Sequence, residues 1–238
     1  MWRTVLIGLL LSIYSIVVGV PLLLYTVIVR NPNALYWAGV KGVWFLVHLF
    51  GVRVKVVGTE RIPGGPVLFV ANHTSSADAP AVVGAIPRRI AILLKQSLFR
   101  YPIVGQAFTL AHFVPVDRSR RDSAIASLEK ATEELKRGQS FLIYPEGTRS
   151  PDGRLQPFKK GAVVMAIKAG VPIVPIACSG AHRVMEKRSL VLHPGEILVE
   201  FLDPIDPARF SFDERDELNS IVHDALAAGL PEDQRPLP

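Results

Sequence analysis

The chain has 238 residues, enough for one domain with a substantial core and an accessory segment. Its 49% hydrophobic content and mean hydropathy of +0.30 run high for a soluble domain, while a net charge of +6 and a pI near 9.6 suit an anionic partner. No recognisable nucleic-acid motif accompanies that charge, the single Cys178 excludes an intrachain disulfide, and the histidines show no H-x(3–5)-H or H-E-x-x-H spacing, so neither nucleic acid nor a metal is expected.

The apolar excess is local. From Val5 to Val29 no residue is charged and Pro21 is the only strong breaker. At ~1.5 Å per residue this is roughly 37 Å of helix against a bilayer core of about 30 Å, which predicts a membrane anchor. A signal peptide is the competing reading, but the run is long and has no A-x-A-like cleavage site before Arg30. A second apolar stretch, 34–52, carries Lys41, His48 and several aromatics. It fits a helix returning through or lying in the membrane interface as well as it fits an amphipathic helix packed on the domain. Arg30, Lys41, Arg53 and Lys55 after the first run, against Arg3 before it, favour a domain on the cytoplasmic side of the membrane.

Beyond this, short apolar runs alternate with helical patterns. Residues 53–57, 67–71, 89–94, 112–116, 140–144, 171–177 and 196–202 read as strands. Residues 97–111, with Pro102 and Gly105, read as broken helix. Residues 119–137 form an amphipathic helix with Ile125, Leu128, Ala131 and Leu135 as its stripe and Gly138 at its end. Further helices are expected at 161–169 and 212–228. This alternation predicts an α/β fold, a mostly parallel central sheet with helices on both faces, preceded by the N-terminal anchoring helices. The expected divisions are 1–52 for the anchor, 53–230 for the α/β domain and 231–238 for a frayed tail.

Three polar clusters follow predicted strands: 72–78, Asp117-Arg118 and 146–150. In a parallel sheet the carboxyl ends of the strands share one edge, which gives a reason for the clusters to converge. His73 and Asp78 are five apart, about 140° around a regular helix, so they meet only if the chain is a loop at His73 and helical nearer Asp78. Ser75 or Ser76 as N-cap would arrange that. Cys178 lies in an apolar run and reads as a buried structural thiol.

These residues carry a family resemblance. Asn72-His73-Thr74-Ser75-Ser76-Ala77-Asp78 resembles the N-H-x4-D block of the glycerolipid acyltransferases, the 1-acyl-sn-glycerol-3-phosphate acyltransferases in particular. The runs 113–118 (FVPVDR), 144–150 (YPEGTRS) and 171–177 (VPIVPIA) resemble their second, third and fourth blocks, in the expected order. Two positions depart: Tyr144 stands where the family often has Phe, and Pro115 where it often has another apolar residue.

The resemblance implies transfer of an acyl group from acyl-CoA or acyl-carrier protein to the free hydroxyl of 1-acyl-sn-glycerol 3-phosphate at the membrane, giving phosphatidic acid, with no bound cofactor. His73 would be the general base and Asp78 would orient its ring. Arg118, whose guanidinium fork matches phosphate oxygens, would meet the acceptor phosphate. Glu146 would accept a hydrogen bond from the glycerol, Gly147 would allow close backbone approach, and Thr148 and Arg149 would complete that surface. Asn72 belongs to the same substrate-side set and also suits holding the turn. The chain lacks a G-x-S-x-G elbow, so direct transfer is expected rather than an acyl-enzyme or a lipid hydrolase. The alternatives are an acyltransferase on another acceptor, glycerol 3-phosphate or a lyso-aminolipid, and a non-catalytic lipid-binding membrane protein.

Overall fold

The computed structural model describes residues 2–117, 121–187, 189 and 191–237. Among them, β1 (Val52–Val57), β2 (Leu68–Ala71), β3 (Ile90–Lys95), β4 (Val114–Val116), β5 (Ser140–Ile143), β6 (Ile173–Ser179) and β7 (Gly195–Phe201) form one sheet, in the order β1-β7-β6-β2-β5-β3-β4. Every neighbouring pair is parallel except β6 and β7. The five strands β6, β2, β5, β3 and β4 therefore end on one edge, and the β7–β1 pair runs the other way.

The strand sequences explain the layering. β2 and β5 are buried along their whole length, as expected of central strands covered on both faces. Alternate residues of β2 serve two cores: Phe69 and Ala71 pack with one cluster, Leu68 and Val70 with the other. The first cluster is covered by α3 (Asn33–Leu49) and α4 (Asp78–Ala85), through Tyr36, Ala81, Val82 and Ala85. The second is covered by α6 (Arg121–Lys136), α7 (Gly161–Ala169) and α9 (Arg215–Gly229), through Leu135, Met165 and Val222 respectively. Two short helices, α5 (Val104–Leu110) and α8 (Ala181–Val184), complete the fold; α8 has no counterpart in the sequence reading.

At the N-terminus, α1 (Trp2–Tyr14) and α2 (Val20–Val29) are joined without a break by a π-helical turn, Ser15–Gly19. That wide turn sits just before Pro21, where a missing backbone donor would otherwise disturb the ladder. The span Val5–Val29 is long and apolar enough to cross a membrane. The stretch 34–52 is mostly α3, and it packs on the domain. Trp44 lies so close to Gly84 of α4 that a Cβ there would fall 2.2 Å from its Nε1. Tyr36 Oη accepts from the Ile90 N–H at 3.2 Å, and Tyr14 Oη donates to the Ala38 carbonyl at 2.9 Å, fixing α1 to α3.

Two expectations change. Ile125, placed in the apolar stripe of α6, is 46% exposed, because the sheet beneath that helix end narrows to the three-residue β4; Ala131 and Leu135 are fully buried as expected. The segment expected to fray is tied down: Glu232–Gln234 makes a 3₁₀ turn and Gln234 is 1% exposed.

Candidate active site

β2 ends at Ala71, and the next two residues set the site. Asn72 is fully buried and pairs with the main chain of Cys178 in both directions: its Nδ2 donates to the carbonyl at 2.9 Å, and its Oδ1 accepts from the N–H at 2.8 Å. The side chain thus extends the β2–β6 ladder as a backbone would. This corrects its expected place beside the substrate, since both amide groups are used internally.

His73 follows in a loop, and Asp78 opens α4. Nδ1 of His73 lies 2.9 Å from Asp78 Oδ2. The same oxygen accepts from the N–H groups of Thr74 at 2.6 Å and Ser75 at 2.7 Å. Asp78 is fully buried, and these three donors satisfy the charge that burial would otherwise disfavour. A carboxylate only accepts, so Nδ1 carries the proton and Nε2 is left with a free lone pair. The N-cap differs from the expected Ser75 or Ser76: Ala77 precedes the helix, and Asp78 itself reaches back to close the turn. Ser75 Oγ instead accepts from the Ala77 N–H at 3.0 Å and donates to the Met185 carbonyl at 2.6 Å.

The loop after β5 grips His73 from the other side. The Glu146 carboxyl accepts from the His73 N–H at 2.5 Å and from the Gln156 N–H at 3.2 Å, and the Ser150 N–H donates to the His73 carbonyl at 2.7 Å. Glu146 is only 5% exposed, and both of its carboxyl oxygens hold main-chain N–H groups, in addition to the glycerol hydrogen bond the sequence leads one to expect of it. Burial, opposed by these two N–H bonds and reinforced by Asp78, pushes its pKa up to about 8. The Tyr144 ring stacks on the imidazole, centroids 4.3 Å apart. Burial above all, then the Asp78 charge, holds the Tyr144 phenol and the Cys178 thiol well above their usual ranges.

Gly147 adopts a left-handed φ of +75°, and a Cβ there would fall 2.9 Å from Lys159 Nζ. Thr148 is exposed, and Arg149 donates to Ser76 Oγ, bridging this loop to the His73 loop. Arg118 lies outside the described residues. Among the described residues there is no group of three or more His, Cys, Asp or Glu able to hold a metal ion. The site's residues 72–78 and 146–150 thus come together at the carboxyl ends of adjacent strands, with one imidazole nitrogen that has no hydrogen-bond partner among the described residues.

A family model described as Acyltransferase matches residues 53–179, more than half of the chain, and spans both of these segments. The chain belongs to the acyltransferase family. It is an O-acyltransferase by that membership and by its relatives. A 1-acyl-sn-glycerol-3-phosphate acyltransferase of Limnanthes douglasii is 35% identical over 193 residues, covering 81% of this chain and 68% of the relative. One from Saccharomyces cerevisiae is 33% identical over 187 residues, covering 77% and 62%. Among solved structures, the 1-acyl-sn-glycerophosphate (LPA) acyltransferase PlsC from Thermotoga maritima superposes with a TM-score of 0.83 at 28% identity, covering 96% of this chain and 93% of that one.

This acyltransferase also has an apolar chamber of about 480 Å³ next to the His73–Asp78 turn, within the usual range for small-molecule sites. Ala79 and Pro80 form its wall nearest Asp78; Val18 of the N-terminal helix, Val40 of α3, Ile92 of β3 and Phe108 of α5 are further walls. Sequence reasoning could not locate it, because its walls come from segments far apart in the chain. It likewise missed Gln156, and it placed Ser150 in a polar cluster without its role, because both contribute main-chain N–H groups that leave no side-chain signature.

Proposed function

We propose that this acyltransferase moves a fatty acyl group from acyl-CoA or acyl-carrier protein to the free hydroxyl of 1-acyl-sn-glycerol 3-phosphate, giving phosphatidic acid. The observation that carries the chemistry is the 2.9 Å contact between His73 Nδ1 and a fully buried Asp78 whose Oδ2 also accepts two main-chain N–H bonds, beside an apolar chamber.

With Nδ1–H committed to Asp78, Nε2 takes the proton of the acceptor hydroxyl as its oxygen attacks the thioester carbonyl. The tetrahedral intermediate collapses with loss of the thiolate, which recovers the proton from the imidazolium. The new ester and the free thiol are the products, and His73 returns to its starting state. Asp78 fixes the tautomer and stabilises the imidazolium, as the carboxylate does in a catalytic triad. Cys178 is fully buried and its thiol is held protonated, so it does not compete as a nucleophile, which supports direct transfer. Glu146 fixes the His73 backbone, Tyr144 flanks the ring, and the chamber receives an acyl chain. Arg118 takes the acceptor phosphate, with Gly147, Thr148 and Arg149 around the glycerol side.

Val5, Ile16, Val27 and Ile28 are all at least 60% exposed, and an outward apolar face of that kind is stable in lipid, which supports membrane attachment. The excess of basic residues after the helix supports a cytoplasmic location for the catalytic part.

The test is acyl transfer by purified protein, crossing acyl-CoA and acyl-carrier-protein donors with glycerol 3-phosphate, 1-acyl-sn-glycerol 3-phosphate and other lysolipids. The reading requires 1-acyl-sn-glycerol 3-phosphate to have the highest kcat/KM among the acceptors. A higher value for any other acceptor overturns the substrate assignment, and release of free fatty acid without transfer overturns the reaction.

A further inference from the structure

Gln234 lies 161 residues from His73 in the chain, in a segment whose composition predicts fraying, yet it is buried and both ends of its amide are hydrogen-bonded. Its Oε1 accepts from the Gly180 N–H at 3.0 Å, its Nε2 faces the Gly153 carbonyl at 3.4 Å, and its own carbonyl accepts from the Leu155 N–H at 2.8 Å. Gly153 and Gly180 both have left-handed φ, +83° and +84°, so Gln234 joins two sharp turns. Exposed ties hold the segment in place: Asp233 pairs with Arg183, and Arg154 donates to the Arg235 carbonyl at 3.1 Å.

Each of these turns leads directly to His73. Gly180 is two residues beyond Cys178, whose main chain pairs with Asn72, the residue before His73. Leu155 precedes Gln156, whose N–H holds Glu146, which in turn holds the His73 N–H. The hydrogen bonds therefore close a ring that runs from Asn72 to Cys178, through Gly180 to Gln234, then through Leu155, Gln156 and Glu146 to His73. Without Gln234 the ring is open, and the two grips on the His73 backbone can shift relative to each other.

We infer that Gln234 is a positioning residue for acyl transfer, acting through the Gly180 turn and the 153–156 loop to hold His73 against Asp78. Small misplacements of a reacting group remote from the mutated site can lower rates by up to about 100-fold. This inference rests on His73 being the base, and its test separates the two claims.

The decisive variants are Gln234→Met, which fills the same volume but loses the two side-chain hydrogen bonds, and Gln234→Glu, whose buried carboxyl in its neutral form can keep both. Gln234→Met is expected to lower kcat about 10- to 100-fold with both substrate KM values within about twofold of wild type, while Gln234→Glu regains kcat at pH 6 relative to wild type and loses it again at pH 9. An unchanged kcat in Gln234→Met overturns the inference. So does a joint change of kcat and KM with no recovery in Gln234→Glu, which would mark the tail as a stabilising clamp alone. Should Gln234→Met not fold, the surface pair Arg154→Ala/Asp233→Ala releases the tail without opening the core. A several-fold fall in its kcat at constant KM then supports the role, and wild-type kcat refutes it. Activity retained in His73→Ala would instead overturn the underlying reading, whatever Gln234 does.

Discussion

The raised pKa of Glu146 makes stability depend on pH in a way that one substitution removes. In the folded protein its carboxyl titrates at about 8, against 4.5 ordinarily. Between those values the folded state holds a proton that the unfolded chain has released. The contribution to stability is therefore fully present below pH 4.5 and is lost as pH rises through 8. Integrated from pH 6 to pH 8, the loss is about 2 kcal/mol, at 1.36 kcal/mol per unit of proton-binding difference. Glu146→Gln keeps an oxygen for the His73 N–H but cannot titrate. Urea unfolding in detergent micelles, followed by tryptophan fluorescence at half-unit pH steps, measures both proteins. Wild type should lose about 2 kcal/mol more than Glu146→Gln across this interval. If the two proteins lose stability in parallel, Glu146 is not the buried acid inferred from its surroundings.

Two further substitutions probe the supports of the site. Tyr144→Phe removes a buried hydroxyl that has no hydrogen-bond partner among the described residues, and it should raise stability by about 1 kcal/mol, read as a higher urea midpoint; a lower midpoint would mean that the hydroxyl is satisfied. Asn72→Ala strands the buried N–H and carbonyl of Cys178 and should destabilise by about 2–4 kcal/mol. A loss below about 0.5 kcal/mol, typical of a surface position, would show that this pairing is not made.

What the sequence disclosed follows from the range of the interactions. His73 and Asp78 were legible because strand, loop and helix start lie within about a dozen residues, and the five-residue spacing itself demanded a turn between them. The edge where the clusters converge followed from strands alternating with helices. The reversed direction of β1 and β7 did not, since an alternating run such as 53–57 fits either orientation. Glu146 was found as a polar residue after a strand, but its partners are main-chain N–H groups, which every residue but proline possesses, so no pattern distinguished them from a substrate hydroxyl. Asn72 was misassigned for the same reason: its partner is the backbone of a residue more than a hundred positions away. Gln234 was hidden by its neighbours, because Pro231, Glu232, Asp233 and Arg235 have the composition of a solvated tail while one side chain among them is buried. The apolar chamber needed the N-terminal helix, α3 and α5 to be assembled before it existed.

Catalysis turns on one nitrogen, Nε2 of His73. Removing it in His73→Ala and measuring the initial rate of acyl transfer to 1-acyl-sn-glycerol 3-phosphate, with folding checked by circular dichroism, tests the central claim. The expected result is a fall of about 10²–10⁴ in kcat, the range of a positioned general base. A His73→Ala variant that is folded and transfers acyl groups within about tenfold of the wild-type rate, below that range, would contradict it.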